Sequence, residues 1–181
     1  GTLVRPADFT VGDLPLILDA VYAHRVTHMI TVPTVLALLT RLGSAYADAF
    51  DSDSFRLVMS NAAPLPTALW EEVESRFGVV VCNSYGLTET VTSSLASGPD
   101  ERRHRRMGTV GRAVGAEVVL LDPAGEEILE QVAEGEIAIR GEHLFSGYLD
   151  DPERTAAVFD GTTLRTGDLA SRDADGYIRI I

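Results

Sequence analysis

Eight consecutive residues, Asn83, Ser84, Tyr85, Gly86, Leu87, Thr88, Glu89 and Thr90, place an amide, hydroxyls, a flat ring and one carboxylate directly behind the apolar run Val79 to Cys82. Apolar runs of that length suit a strand covered on both faces, and in parallel sheets ligands bind beyond the carboxyl ends of the strands. The chemistry within reach is that of a nucleotide. Tyr85 offers a ring face, Asn83 can donate and accept at a base edge, and Thr88 offers a hydroxyl to a phosphate oxygen. Glu89 supplies the single carboxylate that a magnesium ion takes together with substrate phosphates. A second turn, "SNAAPLP" at 60 to 66, has small Ala62 and Ala63, which let a planar ring approach the backbone. A third, "TGDLA" at 166 to 170, holds Asp168, whose carboxylate can accept from the two hydroxyls of a ribose. Taken singly, each of these turns reads as an ordinary polar loop.

The elements that must position them alternate in the first half. Asp13 can cap a helix through "LPLILDAVYAHR", "VTHMITV" (26 to 32) reads as a strand, and Pro33 opens the helix "PTVLALLTRL", which Gly43 can end. "FRLVMS" (55 to 60) is a second strand, and Pro66 opens "PTALWEEVESRF", which Gly78 stops before the strand at 79. Strands alternating with helices predict a parallel sheet with crossover helices. Near Ser97 the character changes through the charged connection "ASGPDERRHRRMG". Beyond it lie the strands "AEVVLLD", "GEIAIRG", "TTLRTGDLA" and "GYIRII", with one short helix, "DDPERTAAVF", capped by Asp151. The expected fold class is therefore α/β plus β: an α/β nucleotide-binding part at 1–97 and a small antiparallel, barrel-like β subdomain at 98–181. Gly1 falls just before an expected strand and Ile181 inside one, so the chain is expected to be a piece of a longer protein.

Composition narrows the function. A length of 181 residues, 45% hydrophobic and 23% charged, is that of a globular protein with room for one core or two small ones. A net charge of −12 argues against nucleic acid, whose binding runs on phosphate neutralisation, yet leaves a nucleotide open, because an ion resets the local field. No apolar run approaches the roughly 18 residues of a membrane span, and the opening "GTLVRPADFT" lacks the form of a signal peptide. The one cysteine, Cys82, is expected to be a small core residue; a cytoplasmic setting is the expectation. All 15 basic residues are arginine, so chemistry that needs a lysine must obtain it from elsewhere. His24, His28, His104 and His143 show no metal-ligand spacing, and "RRHRR" (102 to 106) reads as a solvated loop.

The motifs "SNAAPLP", "NSYGLTET", "GEIAIRGEHLFSGYL" and "RTGDLASRDADGYIRI", in that order, together with "VTHMITVPTVLALL" upstream, resemble those of the adenylate-forming (AMP-binding) superfamily, and of its acyl- and aryl-CoA synthetases in particular. The resemblance covers nearly the whole chain. It implies that Thr88 contacts the nucleotide phosphates and Glu89 the magnesium ion, the two residues taken as catalytic. It implies further that Tyr85 stacks on adenine with Asn83 at its edge, Ser84 and Gly86 completing that turn, and Ala62, Ala63 and Pro64 along the other side of the base. Asp168 would hold the ribose hydroxyls and Ile180 would provide apolar wall. The reaction implied is activation of a small-molecule carboxylate by ATP with Mg2+, giving an acyl-adenylate and then a thioester with coenzyme A. A domain that loads a carrier protein, and a non-catalytic nucleotide-binding remnant, are the alternatives. The family's lysine-bearing phosphate loop and its mobile C-terminal domain have no counterpart in these residues, so flanking domains are expected as partners and the isolated chain is expected to be inactive.

Overall fold

The computed structural model describes residues 1–4, 11–42, 48, 50–98 and 106–181. Gly43 and His104 lie outside them, as does most of the basic run at 102 to 106. The chain forms two compact units, Gly1–Cys82 and Asn83–Ile181.

In the first unit, strands β1 (His28–Thr31) and β2 (Leu57–Ser60) pair in parallel, with Met29 opposite Val58. The Val58 N–H donates to the Val80 carbonyl, which brings the chain entering β3 (Val81–Tyr85) alongside β2. Helices α1 (Leu14–Ala23), α2 (Pro33–Leu42) and α3 (Thr67–Phe77) alternate with the strands along the chain, and α2 packs on α3. Each buries an apolar stripe: Leu14, Leu18 and Val21 on α1, Val35, Leu36 and Leu39 on α2, Trp70, Val73 and Phe77 on α3. Tyr22, which the helical spacing of α1 adds to that stripe, is 69% exposed instead. Trp70 is fully buried, and its indole N–H donates to Glu74 Oε1, which also accepts the Val81 N–H at 2.8 Å. Gly78 ends α3 in the left-handed conformation at φ 63°, its N–H returning to the Glu74 carbonyl. Asp13 departs from expectation. It stands at the N-cap of α1 but in helical backbone geometry, at the end of a 3-10 turn over Val11–Asp13, and makes no side-chain capping bond. A cap needs an extended residue to swing its oxygen over the first turn, and the preceding turn denies it that.

The second unit is antiparallel, as expected. The end of β3 pairs with β4 (Leu95–Ala96), which pairs with β5 (Arg112–Ala113). A larger sheet runs in the order β10 (Ile178–Ile180), β9 (Thr163–Arg172), β7 (Ala133–Arg140), β6 (Glu117–Leu121), with β8 (Phe159–Asp160) against β9. Leu95, Leu120, Ile137, Ile139, Ala170 and Ile178 form its core. Ile137 and Ile139 of β7 are buried as a two-residue alternation would place them, and Ala138 between them is buried too, against Val119 and Leu121, so both faces of the strand are covered there. Helix α4 (Pro152–Val158) starts as predicted, Asp151 Oδ1 accepting the Arg154 N–H at 2.9 Å. No helix among the described residues is long and apolar enough to cross a membrane.

Candidate active site

Strand β3 runs further than its apolar stretch. Asn83 and Ser84 were expected in the turn, but they continue the ladder, with Ser84 opposite Ala96 and Tyr85 opposite Leu95. Both are buried, Asn83 to 4% exposure. Its Nδ2 donates to the Thr109 carbonyl at 2.9 Å, whereas its buried Oδ1 has no partner among the described residues. Such an orphaned acceptor is costly unless something donates to it.

The turn proper begins at Gly86. A Cβ at that position would lie 2.7 Å from the Thr92 carbonyl oxygen and 2.9 Å from Ser93 Cα, so the returning backbone passes too close for any other residue. Thr88, Glu89 and Thr90 form one 3-10 turn. The Thr88 side chain is exposed, and Thr90 is fully buried. Thr90 Oγ1 accepts the Leu87 N–H at 2.9 Å and lies 2.9 and 2.7 Å from the carbonyls of Leu87 and Thr92, either of which can take its proton. That knot fixes the loop on which Thr88 and Glu89 stand. Val91 follows at φ 59° and 76% exposure, an unfavourable backbone for a β-branched side chain.

Asp168 comes from β9, at an irregularity in its pairing with β7. Glu136 pairs with Leu169 and Ala138 with Arg165, so Thr166, Gly167 and Asp168 stand opposite Ile137 alone. Thr166 Oγ1 donates to the Ile137 carbonyl at 2.8 Å and accepts the Asp168 N–H at 3.1 Å, while Glu136 Oε1 accepts the Gly167 N–H. The bulge turns the Asp168 carboxylate to Tyr85, whose O–H donates to Asp168 Oδ2 at 2.5 Å. Burial pushes the Tyr85 phenol well above its ordinary pKa, and the bond to Asp168 pushes it further. Tyr85 and Ile180 both pack against the core cluster of this unit.

Glu89 is held from a third segment. Tyr148 O–H donates to Glu89 Oε1 at 2.6 Å, and the Phe145 N–H donates to the Glu89 carbonyl at 2.8 Å. The phenol hydrogen bond is the main reason that the Glu89 carboxyl sits below its usual range. The second unit thus brings together Tyr85, Gly86, Thr88, Glu89 and Asp168, with Asn83 and Ser84 buried behind them. Ala62, Ala63 and Pro64 belong to the first unit, where all three are exposed in the turn after β2 and Ala62 adopts φ 64°. Tyr148, Thr90 and Thr166 were not picked out by residue type. Tyr148 does stand within "GEIAIRGEHLFSGYL", but no spacing rule ties position 148 to position 89.

The chain matches known proteins in both sequence and fold. The family model described as AMP-binding enzyme matches residues 1–149. The chain is 36% identical over 159 residues to the sulfoacetate–CoA ligase of Cupriavidus necator, an alignment covering 87% of this chain and 30% of the relative. Among solved structures, it superimposes on the N-terminal domain of FACL13 from Mycobacterium tuberculosis with a TM-score of 0.84 at 26% identity, covering 99% of this chain and 44% of that one. The O-succinylbenzoate coenzyme A synthetase of Bacillus subtilis, in complex with ATP and magnesium ion, matches with a TM-score of 0.78 at 27% identity, covering 95% and 34%. The chain spans about a third of the length of the curated relatives it matches.

Proposed function

Because the chain belongs to the AMP-binding enzymes, we propose that it supplies the nucleotide-handling part of an ATP-dependent acid–CoA ligase. The observation that carries this reading is the bond from Tyr85 to Asp168, which joins segments 83 residues apart in one unit. The Tyr85 ring offers a stacking face to adenine, and Asp168, with Oδ2 engaged by the phenol, offers Oδ1 to a ribose hydroxyl. Ile180, on the same apolar cluster as Tyr85, provides wall. The orphaned Asn83 Oδ1 is an acceptor of the kind that the exocyclic amine of adenine would satisfy. Thr88 donates to phosphate.

Among the described residues no three His, Cys, Asp or Glu side chains group as metal ligands. Glu89 is a single carboxylate beside an exposed hydroxyl. That donor set fits magnesium, which commonly takes one or two carboxylates and completes its shell with phosphates and water. When bound, the ion draws charge from the phosphoryl oxygens. The substrate carboxylate then attacks the α-phosphate, pyrophosphate leaves, and the thiol of coenzyme A displaces AMP. Any step that needs a lysine falls to residues outside this chain, which has none.

The test is carboxylate-dependent exchange of pyrophosphate into ATP by the full polypeptide that carries this chain, with a panel of acids. Glu89→Gln should slow exchange about 10²–10³-fold with the fold intact, the cost of removing one electrostatic group from such a site. The 181-residue chain alone should give none. Unchanged exchange and unchanged magnesium dependence in Glu89→Gln would remove that residue from the site. Transfer of the acyl group to a carrier protein in place of coenzyme A would redirect the reading to a carrier-loading domain.

A further inference from the structure

The contacts around Tyr148 reach Glu89 from one side and helix α4 from the other. The phenol O–H meets Glu89 Oε1, and the backbone of the same loop meets the Glu89 carbonyl through Phe145. The Tyr148 ring is itself held by two contacts, and its backbone by a third. Phe145 lies edge-on at 4.9 Å between ring centroids, the Arg154 guanidinium stacks 4.5 Å above the ring, and the Tyr148 N–H donates to Thr155 Oγ1 at 2.9 Å. Thr155 Oγ1 in turn donates to the Asp151 carbonyl, and Asp151 caps α4 through the Arg154 N–H. A partly exposed glutamate on a 3-10 turn has several rotamers open to it; a phenol held by a capped helix leaves one. We propose that Tyr148 is the positioning residue of Glu89, setting the carboxylate in the orientation in which it takes the divalent ion, with the first turn of α4 as the support behind it. The inference rests on the reading of Glu89 as ligand to that ion.

Donors behind a metal-binding carboxylate fix its geometry, and their loss commonly costs about 10–100-fold in metal affinity. Tyr148→Phe isolates the hydroxyl, because the ring that packs on Phe145 and under Arg154 is kept. The measurement is Mn2+ binding by electron paramagnetic resonance to the full polypeptide in complex with α,β-methylene-ATP, alongside metal-free binding of the analogue. Tyr148→Phe should raise the apparent Kd for Mn2+ at least ~10-fold. Metal-free affinity for the analogue should not change. Glu89→Gln should raise the apparent Kd for Mn2+ at least as much, and adding Tyr148→Phe to Glu89→Gln should raise it little more, since the phenol acts through the carboxylate. Mn2+ binding that is unchanged or tighter in Tyr148→Phe, while Glu89→Gln loses it, overturns the positioning role and leaves the reading of Glu89 standing. A full further loss in the double variant also overturns it, because Tyr148 would then act independently. Unchanged binding in Glu89→Gln overturns both.

Discussion

In the first unit, the turn after β2 leaves Ala62, Ala63 and Pro64 open to solvent, and its one unusual feature is a backbone one, the left-handed Ala62. In the second unit, the turn after β3 and the strand end before it are tied through three side chains: Tyr85 to Asp168, the Thr90 knot, and Glu89 to Tyr148. The first surface is shaped by small residues and a strained peptide. The second is shaped by hydrogen bonds that long-range packing had to assemble. A site that meets a flat ring needs room, which small residues give; a site that places charge needs fixed donors and acceptors, which only a network gives.

The sharpest way to break the contrast is a single methyl group. Gly86→Ala puts a Cβ against the Thr92 carbonyl and Ser93 backbone, neither of which can swing away, so a loss of about 3 kcal/mol is expected. At Gly78, in the first unit, the space around a Cβ is open, and alanine costs only the left-handed backbone, about 1 kcal/mol. Denaturant midpoints of the two variants, read with unchanged m-values, compare them directly. Similar losses at both glycines would show that the turn after β3 is as tolerant as a helix end.

A smaller effect sharpens the comparison through pH. The Tyr85 phenol has a raised pKa in the folded chain, so it keeps its proton while the unfolded chain begins to lose it near pH ~10. The stability it contributes is therefore fully present below about pH 10 and falls as pH rises above that value, by at most about 1.4 kcal/mol per pH unit for one proton. Tyr85→Phe should flatten that part of the alkaline stability curve, the other tyrosines being common to both proteins. Identical alkaline slopes would mean that the phenol is neither buried nor held by Asp168 in solution.

The smallest effect belongs to the open turn. Ala62→Gly relieves the left-handed strain but loosens the unfolded chain, and the two nearly offset; a gain no larger than about 1 kcal/mol is expected. Thermal unfolding reads it. A clear loss would show that the methyl group of Ala62 is itself packed, contrary to its exposure.

Much of this molecule was determined by local sequence. The stripes of α1 to α3, the Gly78 stop, the Asp151 cap and the parallel-then-antiparallel order follow from spacing and from residues with one strong backbone preference, which act over a few positions. The roles proposed for the turn residues Thr88 and Glu89 likewise start from local residue type. Local signals stop where pairing begins. The apolar run ended at Cys82, yet β4 extends β3 to Tyr85, burying Asn83 and Ser84, because a ladder partner can hold polar residues in a strand that their own preferences would end. The bulge that turns Asp168 to Tyr85 exists only in the register of β9 against β7. Tyr148 reaches Glu89 across 59 positions because a capped helix supports it from behind. Residue types decided what chemistry is available to this chain. Only tertiary packing decided which carboxylate each phenol would hold, since a hydrogen bond selects by distance in space and leaves no period in the sequence.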